Sequence, residues 1–93
     1  MDRITRGNLE YLVRQINAET GSPAEAYAGR DEAGRLRAAV GHYHISGAYG
    51  GVALHRTMSE GGGVEDVFGG HIPKRELYGL LRAFLAGLRA AAE

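Results

Sequence analysis

The residues with the most chemistry in this chain are histidines. His42 and His44 lie two apart in a segment of alternating apolar and polar residues, so both leave the same face of a β-strand. The segment Gly41-His42-Tyr43-His44-Ile45-Ser46 is followed by Gly47-Ala48-Tyr49-Gly50 and a second alternating run, Gly51 to Met58. A hairpin looped through 47–50 places Ser46 opposite Gly51, Ile45 opposite Val52, Tyr43 opposite Leu54 and Ala39 opposite Met58. In that register His55 stands across from His42, and three imidazoles share the face opposite the apolar one. Imidazoles so spaced suit zinc, copper or nickel. They also titrate near neutrality, which makes the face proton-sensitive. No Asp or Glu falls on these two strands to orient a metal site. The competing reading is a polar strand face on which His stands where Thr or Gln would serve. His42, His44 and His55 are therefore the metal candidates, but the expectation is no metal and no cofactor.

The second chemical group is cationic and aromatic. Arg75, Arg82 and Arg89 recur every seventh residue, in one row on a helix, with Tyr78 beside it. Such a row suits phosphates or an acidic partner surface, although most rows of this kind are simply solvated. With Arg56 and the turn residue Tyr49 they form the expected partner-binding set, because exposed Tyr and Arg are common interface anchors. On the same helix Gly79, Ala83, Gly87 and Ala91 recur every fourth residue. Glycine inside a helix costs about 1 kcal/mol against alanine. The stripe thus implies either very close packing within the domain or a homodimer through this helix.

Other motifs are excluded. Gly61-Gly62-Gly63 lacks the Gly-Lys-Ser/Thr of a P-loop, and no dinucleotide fingerprint is present. Ser22, Ser46 and Ser59 sit in turns and none belongs to a nucleophile elbow. Glu60, Glu65 and Asp66 could serve as acid/base partners of His55 or His71, but spacing alone supports nothing so specific. No catalytic residue is expected, and the chain reads as non-enzymatic.

The elements that position these groups follow from periodicity. Leu9, Leu12, Val13 and Ile16 line one face of a helix over residues 5–20, with Thr5 or Asn8 as N-cap, Gly21 as C-terminal glycine and Pro23 blocking continuation. Residues 21–34 read as a connection with a turn at Asp31 and Gly34. Strands over 35–46 and 51–58 form the hairpin. Residues 59–72 form a Gly-rich loop in which Val64, Val67 and Phe68 make either a short third strand or a helical turn. A second helix spans 73–91, with Pro73 at its first position and Leu77, Leu80, Leu81, Phe84 and Leu88 on its apolar face. The expected fold is α+β, in the order α-β-β-(β)-α, with a small antiparallel sheet and two helices packed on one face. Tyr43, Ile45, Val52 and Leu54 should face the apolar stripes of both helices.

Composition bounds the rest. The 93 residues fit a single domain spanning 1–93. They include 15 glycines and 14 alanines, nearly a third of the chain, so the core has few large side chains. There is no cysteine, which excludes a disulfide framework and zinc-thiolate sites. No apolar run is long enough to span a membrane, and the start, Met1-Asp2-Arg3, leads into an amphipathic segment instead of a signal sequence. A cytoplasmic protein is expected. Formal net charge is zero, which weakens non-specific nucleic-acid binding.

The stretch Gly41-His42-Tyr43-His44-Ile45-Ser46-Gly47-Ala48-Tyr49-Gly50-Gly51-Val52-Ala53-Leu54-His55-Arg56 resembles a pattern of small uncharacterised proteins encoded by bacteriophages and prophages. Gly61-Gly62-Gly63-Val64 and the helix start Pro73-Lys74-Arg75-Glu76-Leu77-Tyr78 fit the same pattern. The resemblance covers most of residues 5–90. It implies a mobile-element origin and supplies no catalytic residues. A more distant likeness is to the double-stranded-RNA-binding domain, also α-β-β-β-α. That family has a lysine cluster at the start of its last helix, where this chain has only Lys74 and Arg75. The leading expectation is an interaction protein that binds a host or phage protein, such as a host defence or replication component. The alternative is a nucleic-acid-binding module using the basic row of the C-terminal helix.

Overall fold

The computed structural model describes residues 3–92. The start read above as lacking a signal therefore lies, at Met1 and Asp2, outside the described residues. The order is α1 (Arg6–Thr20), β1 (Tyr27–Arg30), β2 (Leu36–Ala38), β3 (Tyr43–Ala48), β4 (Gly51–Thr57), β5 (Val64–Asp66) and α2 (Lys74–Ala92). Strands β3, β4 and β5 form an antiparallel sheet in that order, and β1 and β2 pair as a separate hairpin. The two helices pack on each other and on one face of the three-stranded sheet, α1 against β3 and α2 against β4. This is the expected α+β architecture.

Thr5 starts α1 through a reciprocal capping box: its Oγ1 accepts from the Asn8 N–H at 3.2 Å, and the Asn8 carboxamide accepts from the Thr5 N–H at 2.9 Å. Gly21 ends the helix at φ 69°, a left-handed conformation that costs glycine little. The core joins Leu9, Leu12, Val13 and Ile16 of α1, Tyr43, Ile45, Val52 and Leu54 of the sheet, and Leu77, Leu81 and Leu85 of α2. Leu85 replaces the expected Leu80, which is 39% exposed. Phe84 and Leu88 pack against the core while partly buried. Pro73 precedes the first helical residue rather than occupying it, and its carbonyl accepts from the Leu77 N–H at 3.1 Å.

Three expectations are corrected. The connection 21–34 contains a strand, β1, whose residues are all exposed and so carry no apolar alternation. The Asp31 turn closes the β1–β2 hairpin: its carboxylate accepts from the N–H groups of Ala33 and Arg35, each at 2.9 Å. The long strand 35–46 is two strands in two sheets. It breaks at a turn closed by His42 N–H to Ala39 carbonyl (3.1 Å), with Gly41 at φ 94°. The register of the β3–β4 hairpin is also two residues from expectation. Ala48 pairs with Gly51, Ile45 with Leu54, His44 with His55 and Tyr43 with Arg56. The loop is two residues, Tyr49 and Gly50, both at positive φ (55° and 74°), the conformation that matches strand twist in tight hairpins. Ala39 and Met58 do not pair: the Ala39 N–H bonds Ala26, and Met58 is half exposed. A slip of two preserves face parity, so the apolar and histidine faces are sorted as expected. The third strand is present as β5, which pairs His55 with Asp66 and Thr57 with Val64.

Candidate functional site: a histidine row and a hairpin tip

The face of β3–β4 turned away from the helices carries His44 and Ser46 on β3, and Ala53, His55 and Thr57 on β4. Across it runs a row of four imidazoles. The rings of His42 and His44 stack at 5.7 Å and 15°. Those of His44 and His55 meet edge-on at 5.7 Å, and those of His55 and His71 edge-on at 5.9 Å. Tyr49 continues the row beside His71, at 5.9 Å.

Each member is held differently. His42 Nδ1 lies 2.8 Å from the Pro23 carbonyl, so that nitrogen carries the proton. His55 Nε2 donates to Asp66 Oδ1 at 2.9 Å. Ser46 Oγ and His71 Nε2 share a hydrogen bond of 3.3 Å. His44 has the least support. Burial, then the neighbouring His42 and His55, push its pKa below the ordinary value of 6.5, against a smaller upward pull from a backbone hydrogen bond. His71 reaches the row because the segment before α2 pairs with β4: Val52 and Ile72 exchange two backbone bonds of 2.8 Å. Gly51 allows that approach, since a Cβ there would stand 3.0 Å from the Ile72 carbonyl.

The three expected metal candidates are neighbours in space, with His44 and not His42 opposite His55. Their donors do not converge. Among the described residues no three His, Cys, Asp or Glu side chains are placed to hold a metal ion. Asp66 supplies the carboxylate that the two strands lacked, and it uses it on His55 alone.

Tyr49 is 98% exposed at the hairpin tip. It is the one described non-glycine residue with positive φ. The cationic residues lie elsewhere. The Arg56 guanidinium lies over the Tyr43 ring at 5.4 Å with its Nε buried and unpartnered. Arg82 lies over Tyr78 at 5.9 Å. Arg89 reaches across to α1, bonding Gln15 at 3.1 Å and Glu19 at 3.4 Å, so it fastens the helices together. Arg75 lines an open groove of about 620 Å³ along α2 with Pro73, Glu76, Gly79 and Leu80. The row on α2 thus sits in the helix layer, and the structure does not join it to Tyr49.

Sequence reasoning missed Asn17, and it set aside on spacing the pairing of Asp66 with His55 that the structure shows. Asn17 is buried on α1, and its side chain accepts from the Tyr43 N–H (2.9 Å) and donates to the Tyr43 carbonyl (3.1 Å). Arg6 donates to the Ile45 carbonyl at 3.1 Å. Together they occupy the outer edge of β3, where another strand would otherwise pair.

No helix among the described residues is long and apolar enough to cross a membrane. No family model matches the chain, and no curated protein or solved structure matches it either.

Proposed function

We propose that this chain is a small non-enzymatic interaction protein that grips another protein with the β3–β4 tip. The observation that carries the reading is Tyr49. A bulky aromatic side chain is held 98% exposed at φ 55°, a conformation that disfavours any residue with a Cβ. Asn or Gly would make the same turn with less strain. Strain kept at an exposed position is a signature of a functional site, and Tyr is a common interface anchor. The resemblance to phage and prophage proteins adds a mobile-element origin to the proposal and makes a host or phage protein the partner. The test is affinity capture from host lysate with wild type and Tyr49→Asn, each checked for folding. Capture by wild type and loss in the variant supports the reading; equal capture by both refutes it.

A homodimer through α2 is a second proposal. Supporting it, a Cβ added at Gly79 or Gly87 meets nothing within 4 Å, so neither glycine serves packing inside the domain. Leu80 is exposed beside them. A monomer mass that does not change with concentration in sedimentation would refute it.

A further inference from the structure

The histidine row is not a freely solvated surface. His44 lines a cleft of about 240 Å³ between the two sheets, whose walls include Ala26 just before β1, Tyr27 and Ala38 from the β1–β2 hairpin, and Thr57 and Val64 from β4 and β5. His42 is 8% exposed, and its ring bonds the Pro23 carbonyl in the segment leading into β1. The β1–β2 hairpin is therefore laid over the end of the row where the two imidazoles stack. Its other fastenings to the domain are slight: the Ala38 N–H donates to the Glu60 carbonyl at 2.9 Å, and Arg37 pairs with Glu60 at 3.3 Å with both side chains substantially exposed.

We propose that His44, stacked on His42, is an acid-released latch, which lets the β1–β2 hairpin lie on the main sheet while the His44 ring is neutral and drives it off when that ring is protonated. A proton on His44 puts a cation in a mostly apolar cleft, 5.7 Å from each of two other imidazoles. The two nearby carboxylates, Glu10 and Asp66, already have partners. The groups facing the pair are Arg6, Glu10 and Arg14 from α1, Tyr27 from β1, Arg56 and His55 from β4, and Asp66 from β5 behind His55. Glu10 is paired with Arg6, and Asp66 with His55. Swinging the hairpin outward admits water to the cleft and lets the rings separate, while β3, β4, β5 and both helices keep their pairing.

Amide hydrogen exchange on the full chain tests the latch, comparing about pH 7.5 with about pH 5, on either side of histidine titration, after correction for intrinsic rates. The Ala38 amide reports hairpin docking, and the Val52 amide, bonded to Ile72, reports the rest of the domain. Protection at Ala38 should fall about tenfold or more at the lower pH, and by much more than protection at Val52, which follows only the global loss of stability. His44→Gln should abolish the fall. His42→Gln, which leaves His44 in place, should reduce it and raise the His44 titration midpoint seen by NMR. The latch is overturned if Ala38 protection is unchanged in wild type, if Val52 loses protection in step with it, or if either folded variant keeps the full wild-type response.

Discussion

At the scale of single residues, Asn17 and Tyr49 act in opposite directions. Asn17 satisfies both backbone groups of Tyr43 from a buried position. Asn17→Ala leaves an N–H and a carbonyl without partners, and we expect it to lower unfolding free energy by about 3 kcal/mol in urea titration. Tyr49→Asn relieves a left-handed conformation and should raise stability by about 1 kcal/mol in the same titration. Tyr49 was legible in the sequence because an aromatic within the Gly-rich segment 47–51, between two alternating runs, has to lie at a turn. Asn17 was not. Its neighbour Ile16 belongs to the apolar stripe, but nothing in the spacing shows that its carboxamide meets a strand edge 26 residues away. His71 and Asp66 could be named as possible partners in the sequence but not placed. They sit in a glycine-rich segment without periodicity, and only pairing with β4 brings them onto the histidine face.

At the scale of elements, glycine has two meanings. Gly79 and Gly87 lie mid-helix in α2 with open space around them. Alanine at either site should add about 1 kcal/mol to the dilute protein by thermal or chemical unfolding, because only helix propensity changes. Gly51 faces the Ile72 backbone at 3.0 Å, so Gly51→Ala should cost about 1–3 kcal/mol through overpacking, measured the same way. It should also pull His71 away from the row. The helices were the most legible elements, since their apolar stripes run for about two turns in α1 and three in α2. The β1–β2 hairpin was the least. Its first strand is exposed at every position, and the Ala39–His42 turn that separates β2 from β3 lies within what reads as one alternating run. Face parity survived the error in register because the true and expected pairings differ by two residues.

At the scale of the whole molecule, stability should depend on acid. The folded state holds the His44 pKa below its unfolded value, so in that window the unfolded chain binds more protons. The contribution of His44 is complete above the ordinary histidine pKa of 6.5 and is lost as pH falls below it. Urea midpoints should accordingly decrease from neutral pH toward mild acid, and His44→Gln should flatten that slope. Small residues, zero net charge and a modest core leave the molecule with three exposed tyrosines among the described residues, Tyr11, Tyr27 and Tyr49, of which Tyr49, at the tip of the β3–β4 hairpin, is the most exposed. The central claim is that this tip meets a protein partner. Its most direct test places a photo-crosslinking phenylalanine analogue at position 49, or at exposed Glu32 in the β1–β2 turn as control, and irradiates host cells producing the full chain. A discrete protein adduct from position 49 that is absent from position 32 is the predicted result. No adduct at 49, or the same adducts from both positions, would contradict it.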